Sequence, residues 1–408
     1  MSAKETVAGW QKYTLLAGPY AGPYNEILSL AFNPHDPNML ASSSNGKIHL
    51  WNINQSQNVP IVLMGANGAA RVLAFNLHDP TMLASGLNDN TICLWDVSQP
   101  QKEAIVLKGH KGGVNALAFS PHESTLLASG SDDTTIRLWK ISKPHQNQII
   151  LQGHRGIVTS LVFNQHDPSM LVSGSDDNTI RLWDIKQPRK YPIILKGHNG
   201  GILSLAFSRQ NPMMIASCSN DGTIRIWNIH KRRELRIISI GNVHCTGPME
   251  FNPNNPTMFA VASFIRINLG DINQPNKKPL VLKESWLIES LAFNQHNPSL
   301  LASGSCDGAI RMWDITDTSG FTQESNTIRV YFQDKIINNK QLSQKNYERW
   351  LLIGLDHLHK QHPDNAAYEQ SLKSKISKNH IQKTLAGLPE PVQNAFIAKY
   401  KLHVLQDV

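Results

Sequence analysis

The chain has 408 residues, enough for one large core or two ordinary ones. Hydrophobic residues make up 40% and charged residues 17%, which is the balance of a folded globular protein and excludes a disordered chain. The net charge of +8 is thinly spread: residues 321–408 carry 12 Lys and Arg against 8 Asp and Glu, yet no run of five or six basic residues marks a nucleic-acid arm.

The first residues, MSAKETVAGWQKY, are polar and lack the apolar core of a signal peptide. No stretch further on approaches the roughly 18 apolar residues of a membrane span. Cys93, Cys218, Cys245 and Cys306 lie far apart, form no CxxC pair and demand no disulfide. A soluble, cytoplasmic protein is expected. Tyr13–Gly18 (YTLLAG) is the first strand-like segment, and it matches Ala104–Gly109 (AIVLKG). The latter ends a repeated unit and precedes a Gly-His pair.

That unit has a tryptophan ruler. Trp51, Trp95, Trp139, Trp183 and Trp227 are 44 residues apart, and Gly270 and Trp313 follow at steps of 43. Seven units run from about Tyr24 to Thr318. In the third unit, Val114–Phe119, Leu126–Ser129, Thr135–Trp139 and Gln148–Leu151 read as four short strands separated by turn residues. Short strands at even spacing argue an all-β architecture. A four-stranded sheet of 44 residues cannot bury both faces alone, whereas stacking units around an axis buries them all.

Three Gly-His pairs (Gly109-His110, Gly153-His154, Gly197-His198), the Asp-containing turns and the Trp-Asp dipeptides occupy fixed places in this period. In these features the chain resembles the WD40-repeat family of β-propellers over residues 11–318. The resemblance implies a seven-bladed propeller; the remaining residues, 319–408, are read from their own pattern as a C-terminal α-helical extension. Closure of the ring needs a fourth strand for the seventh blade. Residues 11–17 are expected to supply it, with Thr327–Phe332 (TIRVYF) as the competing candidate.

His110, Ser129, Asp133 and Trp139 recur at the same offsets as His154, Ser173, Asp177 and Trp183, and again as His198, Ser217, Asp221 and Trp227. Ser, His and Asp invite a catalytic-triad reading. Three identical copies argue against it, since chemistry needs one differentiated site. A buried indole N–H needs an acceptor, which Ser supplies while it donates to His, and Asp holds the other ring nitrogen. The set resembles the structural tetrad of the WD40 family. Departures run along the chain. Pro23 and Ala66 stand where units 1 and 2 would have His. In unit 6, Gly270 replaces Trp and Phe264 falls near the Asp position. In unit 7, Glu284 replaces His beside Ser303, Asp307 and Trp313.

The turn after each first strand also recurs, placing His35, His78, His122, His166 and His296 at one end of the propeller. Neighbouring blades hold them too far apart for one metal ion, so no metal and no cofactor are expected. In proteins resembling this one, partners dock on the opposite, Gly-His face. The candidates there are Glu26, Arg71, Asn88, Asn115, Asp132, Thr159, Asp176, Asn220, Trp286 and Glu289, with Leu28, Ile157, Leu203, Leu287 and Cys306 beside them. Trp286 either anchors a partner or fills the gap left by the missing histidine.

Beyond Lys340 the period becomes helical: Tyr347, Leu351, Leu355 and Leu358, then Tyr368, Leu372 and Ile376, then Val392, Phe396 and Tyr400 predict about three amphipathic helices. The expected function is a non-enzymatic scaffold for an unidentified protein partner. A nucleic-acid partner is permitted by the charge and not favoured. An enzyme would need one unit's polar residues to break the repeat and converge in the channel.

Overall fold

The computed structural model describes Glu5–Val7, Trp10–Leu15 and residues 26–315 except 45, 55–59, 64–67, 145–147, 209–210, 232, 240–246, 275–278 and 285. Ala66, Pro23, Thr327–Phe332, Cys245 and the predicted tail helices lie outside these residues.

Every unit forms one antiparallel sheet, and there are seven among the described residues. In blade 3 the strands are Val114–Phe119, Leu126–Ser131, Ile136–Lys140 and Ile149–Leu151, within two residues of the sequence expectation. The first strand of each blade packs on the first strands of its neighbours around the axis. Leu and Val alternate there with Ser, Thr, Asn or Glu, because one side chain faces the sheet interface and the next faces the channel and the adjoining blade.

Apolar side chains on both faces of each sheet meet those of the next blade. Seven clusters result, one at each blade junction. The repeated tryptophan always points back to the preceding blade. Trp183 lies with Ala128, Leu138 and Leu161, and Trp51 lies with Ala292, Ala302 and Ile310. No blade therefore has a complete core of its own, which is why the units cannot fold singly.

The ring is closed by the N-terminus. Trp10–Leu15 pairs antiparallel with Ile310–Asp314, with Lys12 opposite Trp313 and Leu15 opposite Ile310. The match of YTLLAG to the outer strands foresaw this pairing. The structure adds a fifth strand, Glu5–Val7, on the outside of Trp10–Leu15. Joining the first segment of the chain to the last blade removes two open edges at once.

Blade 6, the most eroded in sequence, is a complete four-stranded sheet: Met249–Phe251, Met258–Ser263, Arg266–Asp271 and Leu280–Lys283. Its missing tryptophan is compensated across the strand pair. Elsewhere a Leu or Ile lies opposite the Trp, as Leu127 lies opposite Trp139 and Ile215 opposite Trp227; here Phe259 lies opposite Gly270. A Cβ on Gly270 would run into the Phe259 ring. The larger aromatic ring on the second strand takes up part of the volume that the missing indole leaves.

Cys218 is disulfide-bonded, while Cys93 and Cys306 are free. The sequence demanded no disulfide, because spacing alone cannot pair cysteines.

Candidate functional site

The His-Ser-Asp-Trp sets assemble as the recurrence requires. His110 donates from Nδ1 to Asp133 Oδ2 at 2.8 Å, and its Nε2 accepts from Ser129 Oγ at 2.7 Å. Ser129 Oγ in turn accepts from Trp139 Nε1 at 2.7 Å. His154 makes the same bonds to Asp177 and Ser173, with Trp183 donating to Ser173. His198 repeats them with Asp221 and Ser217, with Trp227 donating to Ser217.

Burial of the rings, with a nearby Arg, outweighs the Asp partner and lowers the pKa of all three histidines, so they are neutral near pH 7. Burial pushes the aspartates the other way. Asp221 is nonetheless held down to about 2 by the Thr223 hydroxyl, His198 and the Asn199 amide. Each carboxylate also accepts the backbone N–H that follows the histidine, from Lys111, Arg155 or Asn199. Every donor and acceptor of the tetrad is thus occupied. The serine spends its proton on the histidine, and its lone pair faces an indole rather than an open cleft. These residues hold the loop to the blade and have no free nucleophile.

Blade 7 reaches the same end with different groups. Glu284 occupies the histidine place with a fully buried side chain and accepts from Ser303 Oγ at 2.8 Å. Trp313 donates to the same oxygen at 2.8 Å. Arg311, itself fully buried, joins Glu284 at 2.9 Å and Asp307 at 2.5 Å. Glu284 therefore fills the space of the missing histidine, and Trp286 is not needed there. Sequence reasoning noticed Glu284 and missed Arg311. The signal was the basic residue two before Trp, shared with Arg137, Arg181 and Arg225.

The histidines of the opposite face join blades. His35, His122 and His296 donate from Nε2 to Leu77 O, Asn164 O and Pro34 O, each in a neighbouring blade. Asn33, Asn76, Asn164, Asn252 and Asn294 do likewise, reaching a carbonyl of the next blade at 2.6–3.1 Å. The expectation of a simple turn was incomplete: these residues build the turn and also tie it to the adjoining unit. No group of three His, Cys, Asp or Glu able to hold a metal occurs among the described residues.

Of the candidates on the Gly-His face, Glu26 and Trp286 precede first strands, Arg71, Asn115, Thr159 and Glu289 are the second residues of first strands, and Asn88, Asp132, Asp176 and Asn220 lie in the turns between the second and third strands. Their side chains differ in how far they are engaged. Arg71 donates to Asn115 Oδ1 at 2.7 Å and to Asp132 Oδ2 at 2.9 Å, across blades 2 and 3. Asn115 completes the clamp by donating to Asp132. Asn88 accepts the Ala69 N–H, and Thr159 donates to Gly174 O and Ile202 O. Cys306 donates to Glu289, whose pKa is raised by burial and by Glu26. The pKa of Asp176 is also raised, by burial and then by Asp132 and Asp177. Among the described residues, the side chains of Glu26, Asp176 and Asn220 make no hydrogen bond or ion pair. Trp286 is half-buried and belongs to none of the seven core clusters.

The model of the WD domain, G-beta repeat, matches residues 14–52, 62–96, 101–140, 145–184, 189–228 and 278–314, more than half of the chain. Its matches pass over blade 6, where the Trp and Asp positions are lost. No curated relative matches the chain closely enough to compare with it. No helix among the described residues is long and apolar enough to cross a membrane. Six four-stranded blades and a five-stranded seventh, three saturated His-Ser-Asp-Trp tetrads and six matched repeats together place the chain in the WD40 family of β-propellers.

Proposed function

We propose that the protein is a non-enzymatic scaffold that binds a protein partner through its Gly-His face. One observation carries this reading. The repeated polar residues that could perform chemistry are spent on each other, whereas this face keeps Glu26, Asp176 and Asn220 uncommitted and Trp286 outside the core. A half-buried tryptophan on the same face as unspent polar groups has the composition of an interface anchor and its rim. Arg71 contributes as part of its clamp with Asn115 and Asp132, which presents a fixed guanidinium rather than a mobile one.

The test begins with purification of the tagged protein from its native cell and identification of what accompanies it. A Trp286→Ala/Arg71→Ala double variant is expected to lose that partner and to melt within a few degrees of the parent. The clamp is a half-exposed ion pair, worth about 1 kcal/mol or less. Unfolding of the variant would assign Trp286 to the core. Normal binding would move the interface elsewhere. Retention of nucleic acid with a steep salt dependence would replace the protein partner.

A further inference from the structure

Natural sheets protect their open edges by keeping edge strands short or covered. The outer strands of blades 1–4 have three residues each: Ile61–Leu63, Ile105–Leu107, Ile149–Leu151 and Ile193–Leu195. That of blade 6 has four, Leu280–Lys283. In blade 7 the outer strand Trp10–Leu15 is covered by Glu5–Val7. Blade 5 departs from all of these. Its outer strand, Arg233–Ser239, has seven residues, and no strand among the described residues pairs with its free side.

The strand is also chemically distinct. Opposite Ile226 and Trp227 the register shifts, with Arg236 and Glu234 as partners and Leu235 bulged between them. Leu235 and Ile237 are 47% and 48% exposed, whereas Ile238 turns inward and is buried. The segment His230–Arg236 reads HKRRELR, with four basic residues and one acid. That acid, Glu234, is already paired with Arg225. The edge therefore offers a ladder side that no described strand covers, two exposed aliphatic side chains and a sequence rich in basic residues.

We propose that the outer edge of blade 5 docks an extended acidic strand of a partner protein, alternating β-branched residues with Glu or Asp, as a fifth strand of that sheet. Blade 7 is the internal precedent. There the added strand is Glu-Thr-Val, an acid followed by two β-branched residues, and it pairs antiparallel. Strand addition takes its affinity from the backbone and its selectivity from side chains. Here Leu235 and Ile237 would meet the β-branched positions and the basic residues the acids. The same positive charge repels a second copy of this edge, which excludes self-pairing. The site is separate from the Gly-His face.

The experiment uses the full chain and a short fluorescein-labelled peptide of alternating valine and glutamate. Fluorescence anisotropy should show saturable binding, and hydrogen exchange should show new protection at residues 233–239. A valine–lysine peptide, and a valine–glutamate peptide with proline at its centre, should each bind at least about tenfold more weakly, since one loses the charge match and the other the ladder. Ile237→Glu should weaken binding by about tenfold without moving the melting temperature, because the position is exposed and the new charge repels the probe. If that variant fails to fold, Leu235→Glu at the bulge serves instead. Trp286→Ala/Arg71→Ala should bind the peptide like the parent. Equal binding of all three peptides, protection outside residues 233–239, or unchanged binding by the folded Glu variants would overturn the proposal. So would a dimer formed through this edge. Vesicles of phosphatidylserine and phosphatidylcholine that protect these amides when the peptide does not would replace the strand with a membrane surface.

Discussion

Blades 3 to 5 and blade 7 solve one problem in two ways. In each, a loop must be fastened over the second and third strands and a buried indole N–H must find an acceptor. Blade 4 places a neutral imidazole, His154, at the centre of the network, and its charges, Asp177 and the Arg181 that meets it at 3.6 Å, lie at the rim. Blade 7 uses Glu284, Arg311 and Asp307, three formal charges with almost no access to water. The shared part is Ser303 beneath Trp313, as Ser173 lies beneath Trp183. The serine–indole bond is thus the fixed element, and the group above it can change provided that every partner remains satisfied. The neutral version tolerates loss of one member better, because removing a charge from the ionic version strands its partners.

The largest effect should come from the element that only blade 7 has. Deleting residues 1–18 removes Trp10–Leu15 and leaves Ile310–Asp314 as an open edge. The truncated chain is expected to aggregate on size-exclusion chromatography and to lose a cooperative melt, since an uncovered strand templates further pairing. A truncated protein that stays monomeric and melts like the parent would show that another segment closes the ring. Residues 327–332 are the first to test.

Next in size is Arg311→Met, which keeps the volume of the side chain and removes its charge. Glu284 and Asp307 would then be buried without compensation, at a cost of about 3–5 kcal/mol in chemical denaturation. Glu284→His should cost far less. It places an imidazole between Ser303 and Asp307, as in blades 3 to 5, and leaves the Arg311–Asp307 pair in place. Equal losses from the two variants would mean that blade 7 cannot accept the neutral arrangement.

Both blades were partly legible in the sequence. The Trp ruler gave the number of blades, and the offsets from it gave the tetrads, because periodic residues keep the same environment in every unit. The match of Tyr13–Gly18 to Ala104–Gly109 gave the closing strand. Three things were harder to see. Arg311 lies on the third strand, where a basic residue reads as an exposed side chain until the missing histidine is taken into account. The Asn33-type and His35-type staples join residues 42 to 48 apart or across the ring closure, so no local pattern reports them, although a 44-residue period makes contacts between equivalent positions natural. Phe259 and Gly270 compensate each other across a strand pair, and inspecting either position alone suggests a defect.

The smallest effect separates the two blades by pH. His154→Ala should cost about 1–3 kcal/mol at neutral pH, the penalty of leaving Ser173 and Asp177 short of a partner. Burial lowers the folded pKa of His154 beneath its ordinary value of 6.5, so folding favours the neutral ring. The unfolded chain takes up the proton first. The contribution of His154 is therefore complete above pH 6.5 and declines as the pH falls from there towards the folded value. The stability gap between the parent and His154→Ala should narrow over that interval. Blade 7 has no histidine in its network. Burial raises the pKa of Asp307, but Arg311 outweighs burial and holds it below 3.8. Its contribution is present above 3.8 and is lost only as the pH falls through the depressed value. The gap between the parent and Asp307→Asn should accordingly remain wide at pH 5, where the His154 gap has begun to close. Denaturation curves of the parent and both variants at pH 7.5 and pH 5 measure this. If the two gaps narrow together, the tetrad histidine does not titrate as a buried neutral group, and the division between neutral and ionic blades fails.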